Sequence, residues 1–105
     1  MFGSYEITNI VENSGRVQVW LQNAYVTVDS AYVSEVDDNE YSIEVDIRAY
    51  GRVSGDSSRI ERNIREAIQI LLKDIQRKLE SYRDRYGFGY ELEVNNVDTD
   101  DIDFD

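Results

Sequence analysis

The chain has 105 residues, of which 22 are acidic and 11 basic, so its formal net charge is −11. Hydrophobic residues make up 41% of it, which is enough for the core of one small domain. The absence of Cys and His excludes disulfides, thiolate metal sites, cysteine nucleophiles and histidine general bases.

The charge and hydropathy also limit where the chain acts. A strongly negative protein is repelled by phosphate backbones and anionic lipids, so we expect no direct binding to nucleic acid or to a membrane. No apolar run reaches the length of a membrane span, and no signal-peptide pattern follows Met1. We therefore expect the protein in the cytoplasm or in a virion, not exported through a signal peptide.

The first third of the chain predicts two strands joined by a turn. Residues 5–11 show a short alternation of apolar and polar side chains, and residues 13–15 (Asn-Ser-Gly) are typical of a tight turn. A second strand is expected from Arg16. Its apolar positions change from odd to even numbers beyond Asn23, which predicts a bulge or a sharp bend near residues 22–23.

The clearest pattern is the strict alternation over residues 41–50, after a polar loop at residues 37–40. It predicts a strand with one buried and one wet face, as in an antiparallel sheet covered on one side. The residues expected to face inward are Tyr41, Ile43, Val45, Ile47 and Ala49.

A long amphipathic helix is predicted next. Ser58 and Glu61 match a capping box, with Asp56 and Ser57 as further cap candidates, and Gly87 is placed to end the helix. Between these ends, the apolar residues recur with helical spacing and share one face.

The helix is followed by a predicted fourth strand over residues 88–95, and the chain ends with five Asp in residues 98–105. The predicted fold is therefore α+β, a two-layer sandwich of order β-β-β-α-β, with one long helix on a mainly antiparallel four-stranded sheet. Residues 1–97 are expected to form a single domain, and residues 98–105 an acidic C-terminal tail.

Charge is distributed unevenly along the chain. Residues 57–86 carry eight basic and five acidic side chains, a net +3, whereas the rest of the chain carries −14. One interpretation is a solvated helix, stabilised by the pairs Glu61–Arg65, Arg62–Glu66 and Asp74–Lys78. The other is that the basic helix meets an acidic surface of a neighbouring copy, building a ring or a stack.

The acidic tail has two interpretations as well. It is either a solvated end or a docking element, in which Ile102 and Phe104 are apolar anchors that the Asp residues steer onto an arginine-lined surface. Trp20 and Tyr50 fall at outward strand positions and are typical interface anchors. The candidate interaction residues are therefore Arg62, Arg65, Arg77, Trp20, Tyr50, Ile102 and Phe104.

No pattern of catalytic or metal-binding residues stands out. Carboxylates two residues apart, at 44 and 46 and at 91 and 93, are common on solvated sheet faces and do not indicate a glycosidase. The acidic segments at residues 37–40 and 98–101 lack the glycine and distal Glu of a calcium loop. We therefore expect no enzyme activity, cofactor, metal or small-molecule substrate.

Residues 40–72, EYSIEVDIRAYGRVSGDSSRIERNIREAIQILL, resemble the central part of tail-terminator and tail-completion proteins of tailed phages. In those proteins an alternating strand leads through a polar loop into an amphipathic helix, and a further strand follows. The resemblance implies a non-catalytic subunit of a ring at the end of a tail tube. Those proteins often begin with a helix, whereas this chain is predicted to open with strands.

Two other hypotheses remain open from the sequence. The first is a nucleic-acid mimic, whose dense carboxylates block a DNA-binding protein by imitating its phosphates. The second is adaptation to high salt, which the nine Arg, two Lys and twelve Asp would suit. In the second case the acidity would reflect the environment and not the function.

Overall fold

A computed structural model describes residues 2–105. Its four strands form one sheet in the order β1-β2-β3-β4. The β1–β2 and β2–β3 pairs are antiparallel, whereas β3 and β4 are parallel because the long second helix returns the chain between them. This confirms the α+β fold and the order β-β-β-α-β, preceded by one further helix. The elements are α1 (Ser4–Glu12), β1 (Arg16–Gln18), β2 (Asn23–Asp37), β3 (Glu40–Val53), α2 (Ser57–Tyr86) and β4 (Gly89–Phe104).

The core lies between one face of the sheet and the two helices. All five inward residues predicted for residues 41–50 are buried, which confirms that strand and its orientation. They share one apolar cluster with Ile7 and Val11 of α1 and with the buried stripe of α2. The stripe comprises Ile60, Ile64, Ala67, Ile68, Leu71, Ile75 and Leu79.

The first predicted strand is wrong, since residues 4–12 form α1. Ile7, Ile10 and Val11 are three and four residues apart, so a helix places them on one side, and Ile7 and Val11 are fully buried there. The start of the helix is stabilised by Glu6, whose side chain accepts a 2.7 Å hydrogen bond from the Gly3 amide. A segment this short is compatible with both strand and helix periodicity. The helix is favoured because it buries Ile7 and Val11 together.

The irregularity predicted near residues 22–23 is a full reversal of the chain between β1 and β2. The Val19 amide donates to the Ala24 carbonyl at 2.8 Å, and the Gln22 amide donates to the Val19 carbonyl at 3.0 Å. The change in apolar parity therefore arises because residues 16–18 and 23–37 are two strands and not one bent strand.

The ends of α2 were predicted within a few residues. The N-cap is Asp56, whose side chain accepts a 3.3 Å hydrogen bond from the Ser58 amide, so the capping box assigned to Ser58 is wrong. Gly87 ends the helix in the left-handed region, with a φ of 70°, as predicted.

The fourth strand is longer than predicted and takes in most of the expected acidic tail. β4 follows β3 from Glu40 opposite Gly89 to Val53 opposite Phe104. Ile102 lies opposite Gly51 and is buried, so it belongs to the core and cannot act as an exposed anchor. Phe104 has the same orientation, but it lies at the margin of the core and is 65% exposed.

Gly51 of β3 lies opposite Ala24 of β2 and Ile102 of β4. Its φ is +117°, and a Cβ atom at this position would lie 2.6 Å from the Ala24 Cα and in still closer contact with the Asn23 carbonyl oxygen. Both the backbone conformation and the space therefore require glycine.

Replacing Gly51 with Ala should destabilise the protein by about 2–4 kcal/mol, because it adds overpacking to backbone strain. Gly55→Ala is a matched control, since Gly55 has a φ of +115° but no atom near the position of a Cβ. That variant should lose only the strain contribution, about 1–2 kcal/mol. Urea unfolding of both variants measures the difference, and equal losses would contradict the close approach of β2 to Gly51.

Candidate functional site

A groove of about 630 Å³ lies between the β1–β2 turn and the N-terminal half of α2. We call it the Trp20 groove. Its lining combines exposed apolar and basic side chains, the composition that is enriched at the centre of protein interfaces. The lining residues are Gln18, Trp20, Arg59, Arg62, Asn63, Glu66, Ala67 and Ile70.

Three large apolar side chains are exposed at or beside this groove. Trp20 is 64% exposed, Ile70 is 56% exposed, and Leu21, next to Trp20 in the turn, is 76% exposed. Single exposed apolar residues are common on protein surfaces, whereas a cluster of them beside arginines is typical of a binding surface.

The β1–β2 turn is held firmly, although it projects from the sheet. The side-chain amide of Gln22 makes two 3.0 Å hydrogen bonds with the backbone of Ser54, one as donor and one as acceptor. Gln18 donates to the Gln22 carbonyl at 2.8 Å. Within this turn Leu21 has a φ of 58°, which is uncommon and strained for a bulky residue. The turn therefore keeps Trp20 and Leu21 exposed at a cost in backbone strain.

The basic residues of the groove form no ion pair with the part of the chain that the structure describes. Arg59 and Arg62 line the groove, and Arg65 and Lys73 continue the basic surface along α2. In residues 2–105, none of these four side chains is within ion-pair distance of a carboxylate. Four cationic groups therefore lie at or beside the groove without a carboxylate partner among residues 2–105.

Only one of the three predicted helical ion pairs forms. Lys78 lies 3.1 Å from Asp74, whereas the pairs predicted for Arg62 and Arg65 are not present among the described residues. Arg77 also pairs with Asp74, and the hydrogen bonds from Arg77 and Lys78 lower the pKa of that carboxyl group. Arg77 thus lies outside the groove, with a partner of its own.

The opposite edge of the sheet is acidic. β4 is the outermost strand there. Its last seven residues together with Asp105, residues 98–105, carry five Asp and the exposed Phe104, and we call this segment the acidic end of β4. Only Asp101 meets a cation in this segment: it accepts a 2.8 Å hydrogen bond from Arg48, which raises the pKa of the Arg48 guanidinium. The remaining carboxylates of the acidic end are without an ion-pair partner among residues 2–105.

The Trp20 groove and the acidic end of β4 lie at opposite edges of the sheet but at the same end of it. The groove adjoins β1, and β1 and β4 are the two outer strands. Asn23, which follows the β1–β2 turn, pairs with Arg52, and Arg52 pairs with Asp103. The Trp20 groove and the acidic end of β4 therefore lie at the same position along the strand direction.

The predicted interaction residues separate into groups. Trp20 and Arg62 line the groove, Arg65 lies beside it, and Phe104 belongs to the opposite edge. Tyr50 lies on the sheet face away from the helices, where its ring is tilted by 33° against that of Tyr25, with ring centroids 5.8 Å apart.

Sequence reasoning missed two residues of this surface. Leu21 has the same parity as Val17 and Val19 of the predicted strand, which suggested a buried position, and only the turn geometry exposes it. Arg59 is one of eight basic residues on α2, and no local signal distinguishes it from the others.

Among residues 2–105, no three or more potential metal ligands cluster together. Within the same residues, no helix combines the length and the apolar character that a bilayer span requires.

Replacing Leu21 with Gly should stabilise the isolated fold by about 0.5–1 kcal/mol, because glycine removes the strain of a positive φ and little buried surface is lost. Leu21→Ala is the matched control, since it removes the same side chain but keeps the strain. Urea unfolding should show a gain for Gly relative to Ala. Equal stability of the two variants would mean that Leu21 is not strained.

Compared with known proteins, the chain matches no family model, no curated protein and no solved structure. Function must therefore be inferred from the fold and from the two surfaces described above.

Proposed function

We propose that the protein is a non-catalytic structural subunit, which acts by associating with copies of itself or by docking to a larger assembly, in a virion as a ring subunit of the tail or neck. The observation that supports this most strongly is the pairing of two unlike surfaces. A basic, apolar groove whose arginines have no ion-pair partner among residues 2–105 lies at one edge of the sheet, and an acidic segment that carries the exposed Phe104 lies at the other.

Two different surfaces that complement each other produce a head-to-tail contact, which closes into a ring if the rotation between copies permits it and otherwise continues as a filament. Because the Trp20 groove and the acidic end of β4 share one level along the strands, neighbouring copies can meet with little displacement along the strand direction. A small displacement favours closed rings over helical filaments.

The resemblance of residues 40–72 to tail-terminator and tail-completion proteins supports a role in a virion. The strand, loop, helix and strand of that resemblance correspond to β3, residues 54–56, α2 and β4. The opening helix α1, which the sequence did not predict, adds a feature that those proteins often have.

The alternative, a nucleic-acid mimic, has some support from the carboxylates of β4. However, Arg48 and Arg52 lie beside β4, opposite Asp98 and Asp103 in the register, and they interrupt a continuous row of negative charge on that side. A mimic needs an uninterrupted negative track, so the head-to-tail assembly is the better explanation.

Analytical ultracentrifugation of the full chain tests the proposal directly. At concentrations up to about 100 μM, where micromolar contacts are populated, we expect a discrete species larger than a monomer. Raising the salt to about 1 M should shift this species towards the monomer, since exposed charges are then screened within about 3 Å. Circular dichroism at each salt concentration checks that the chain stays folded.

A chain that is folded but monomeric at every concentration and salt would contradict self-association. Release of DNA from a basic DNA-binding protein by that monomer would then support the mimic. Unfolding at low salt with recovery at high salt would indicate that the acidity is an adaptation to a saline environment.

A further inference from the structure

The side chains that line the Trp20 groove are suited to a ligand that combines apolar surface with negative charge. Trp20 and Ile70 offer apolar surface, and Arg59, Arg62 and Arg65 offer positive charge beside it. Glu66 is the one acidic residue among the lining residues. A segment that carries an aromatic ring between carboxylates would match both properties, because the ring would fill the apolar part and the carboxylates would pair with the arginines.

The chain itself contains one such segment at its surface. Phe104 is flanked by Asp103 and Asp105, and it is 65% exposed. Among the other exposed aromatic residues that the structure describes, none has an acidic residue on both sides. The acidic end of β4 therefore has the chemistry that the groove requires.

This segment cannot reach the groove of its own subunit. β4 stays paired with β3 to its end, where Phe104 lies opposite Val53 and the Asp105 amide donates to the Val53 carbonyl at 3.0 Å. Two strands separate it from β1, a distance of about 14 Å at the usual strand spacing. The groove of a second copy is available to it, however, and β4 need not leave the sheet to reach that groove.

We propose that the Trp20 groove binds the acidic end of β4 of a second copy of this chain, whose strand edge enters between the two walls of the groove. Phe104 then lies against Trp20 on the turn side, and Asp103, whose side chain points to the opposite face of the strand, lies towards Arg59 and Arg62 on α2. This inference rests on the self-association proposed above and names the contact that produces it. Leu21, exposed beside Trp20, extends the apolar surface that the incoming segment covers.

Paired charge reversals test this contact. Arg62→Glu places a negative charge in the groove, and Asp103→Arg places a positive charge on the acidic end of β4. Each single variant should weaken assembly at least about tenfold, because it opposes like charges across the contact. The double variant, with both changes in one chain, should restore assembly because the charges are again opposite.

Matched controls keep the change in net charge but move it away from the contact. Arg85→Glu alters an arginine in the last turn of α2, and Asp38→Arg alters the β2–β3 turn at the other end of the sheet. Both should assemble like the original chain. Phe104→Ala adds a test without a charge change and should weaken assembly by a similar factor to the single reversals, while circular dichroism confirms that every variant folds.

The outcomes separate the two proposals. If the original chain is monomeric, self-association itself is wrong. If it assembles and Arg62→Glu and Asp103→Arg assemble equally well, self-association stands and the proposed contact is wrong. If both single variants dissociate and the double variant does not recover, the two surfaces matter but do not face each other, which also overturns the contact.

Discussion

The pairing of β4 with β3 is the interaction that fixes the position of the acidic end of β4. It brings the most acidic part of the chain to the outer edge of the sheet and aligns Ile102 with Gly51 and Phe104 with Val53. Without this register, residues 98–105 would be a charged tail with no fixed position. With this register, the acidic end of β4 has a fixed position at the sheet edge that lies farthest from the Trp20 groove.

Burial of apolar side chains provides most of the energy that holds β4 in place. Ile102 is buried and Leu92 is half-buried against the core, and each such side chain contributes about 1.5–3 kcal/mol when it is fully buried. The ion pair between Arg48 and Asp101 adds less, because both side chains are exposed and water screens their attraction. The carboxylates along the strand repel one another, so the apolar positions must offset that repulsion.

The acidic side chains also limit how the edge of the sheet can be used. An exposed edge strand of 16 residues would readily pair with another strand, and charged side chains along it are a common protection against such pairing. Association through side chains at the end of β4, where Phe104 is exposed, is compatible with that protection.

Strict periodicity made parts of the fold predictable from the sequence. The alternation over residues 41–50 and the apolar stripe of α2 each fit one period over many residues, so strand and helix were distinguishable. Residues 4–12 are too short for that, and in residues 98–104 the two inward apolar residues, Ile102 and Phe104, stand among four Asp. Phe2 stacks on Tyr86 with ring centroids 4.5 Å apart, which links the residues before α1 to the end of α2. No local pattern in the sequence predicts this contact.

The candidate site was predictable to a similar extent. The charge difference between residues 57–86 and the rest of the chain pointed to Arg62 and Arg65, and outward parity pointed to Trp20. Ile102 was misplaced because its apolar character was interpreted as a docking anchor, although its alternation with the Asp residues also fits a strand. The exposure of Leu21 depends on a turn with a positive φ, which the residue types do not predict.

Cross-linking between the two surfaces tests the head-to-tail contact most directly, because the chain has no Cys of its own. Glu66→Cys in the groove and Asp105→Cys at the end of β4, combined in one chain, should react with a short bismaleimide to give a ladder of covalent oligomers. The ladder should end at one largest band, the number of subunits in the ring. Glu66→Cys combined with Asp38→Cys should give no such ladder. If the first variant produces no intermolecular products while it remains folded and assembled, the contact between the Trp20 groove and the acidic end of β4 is contradicted.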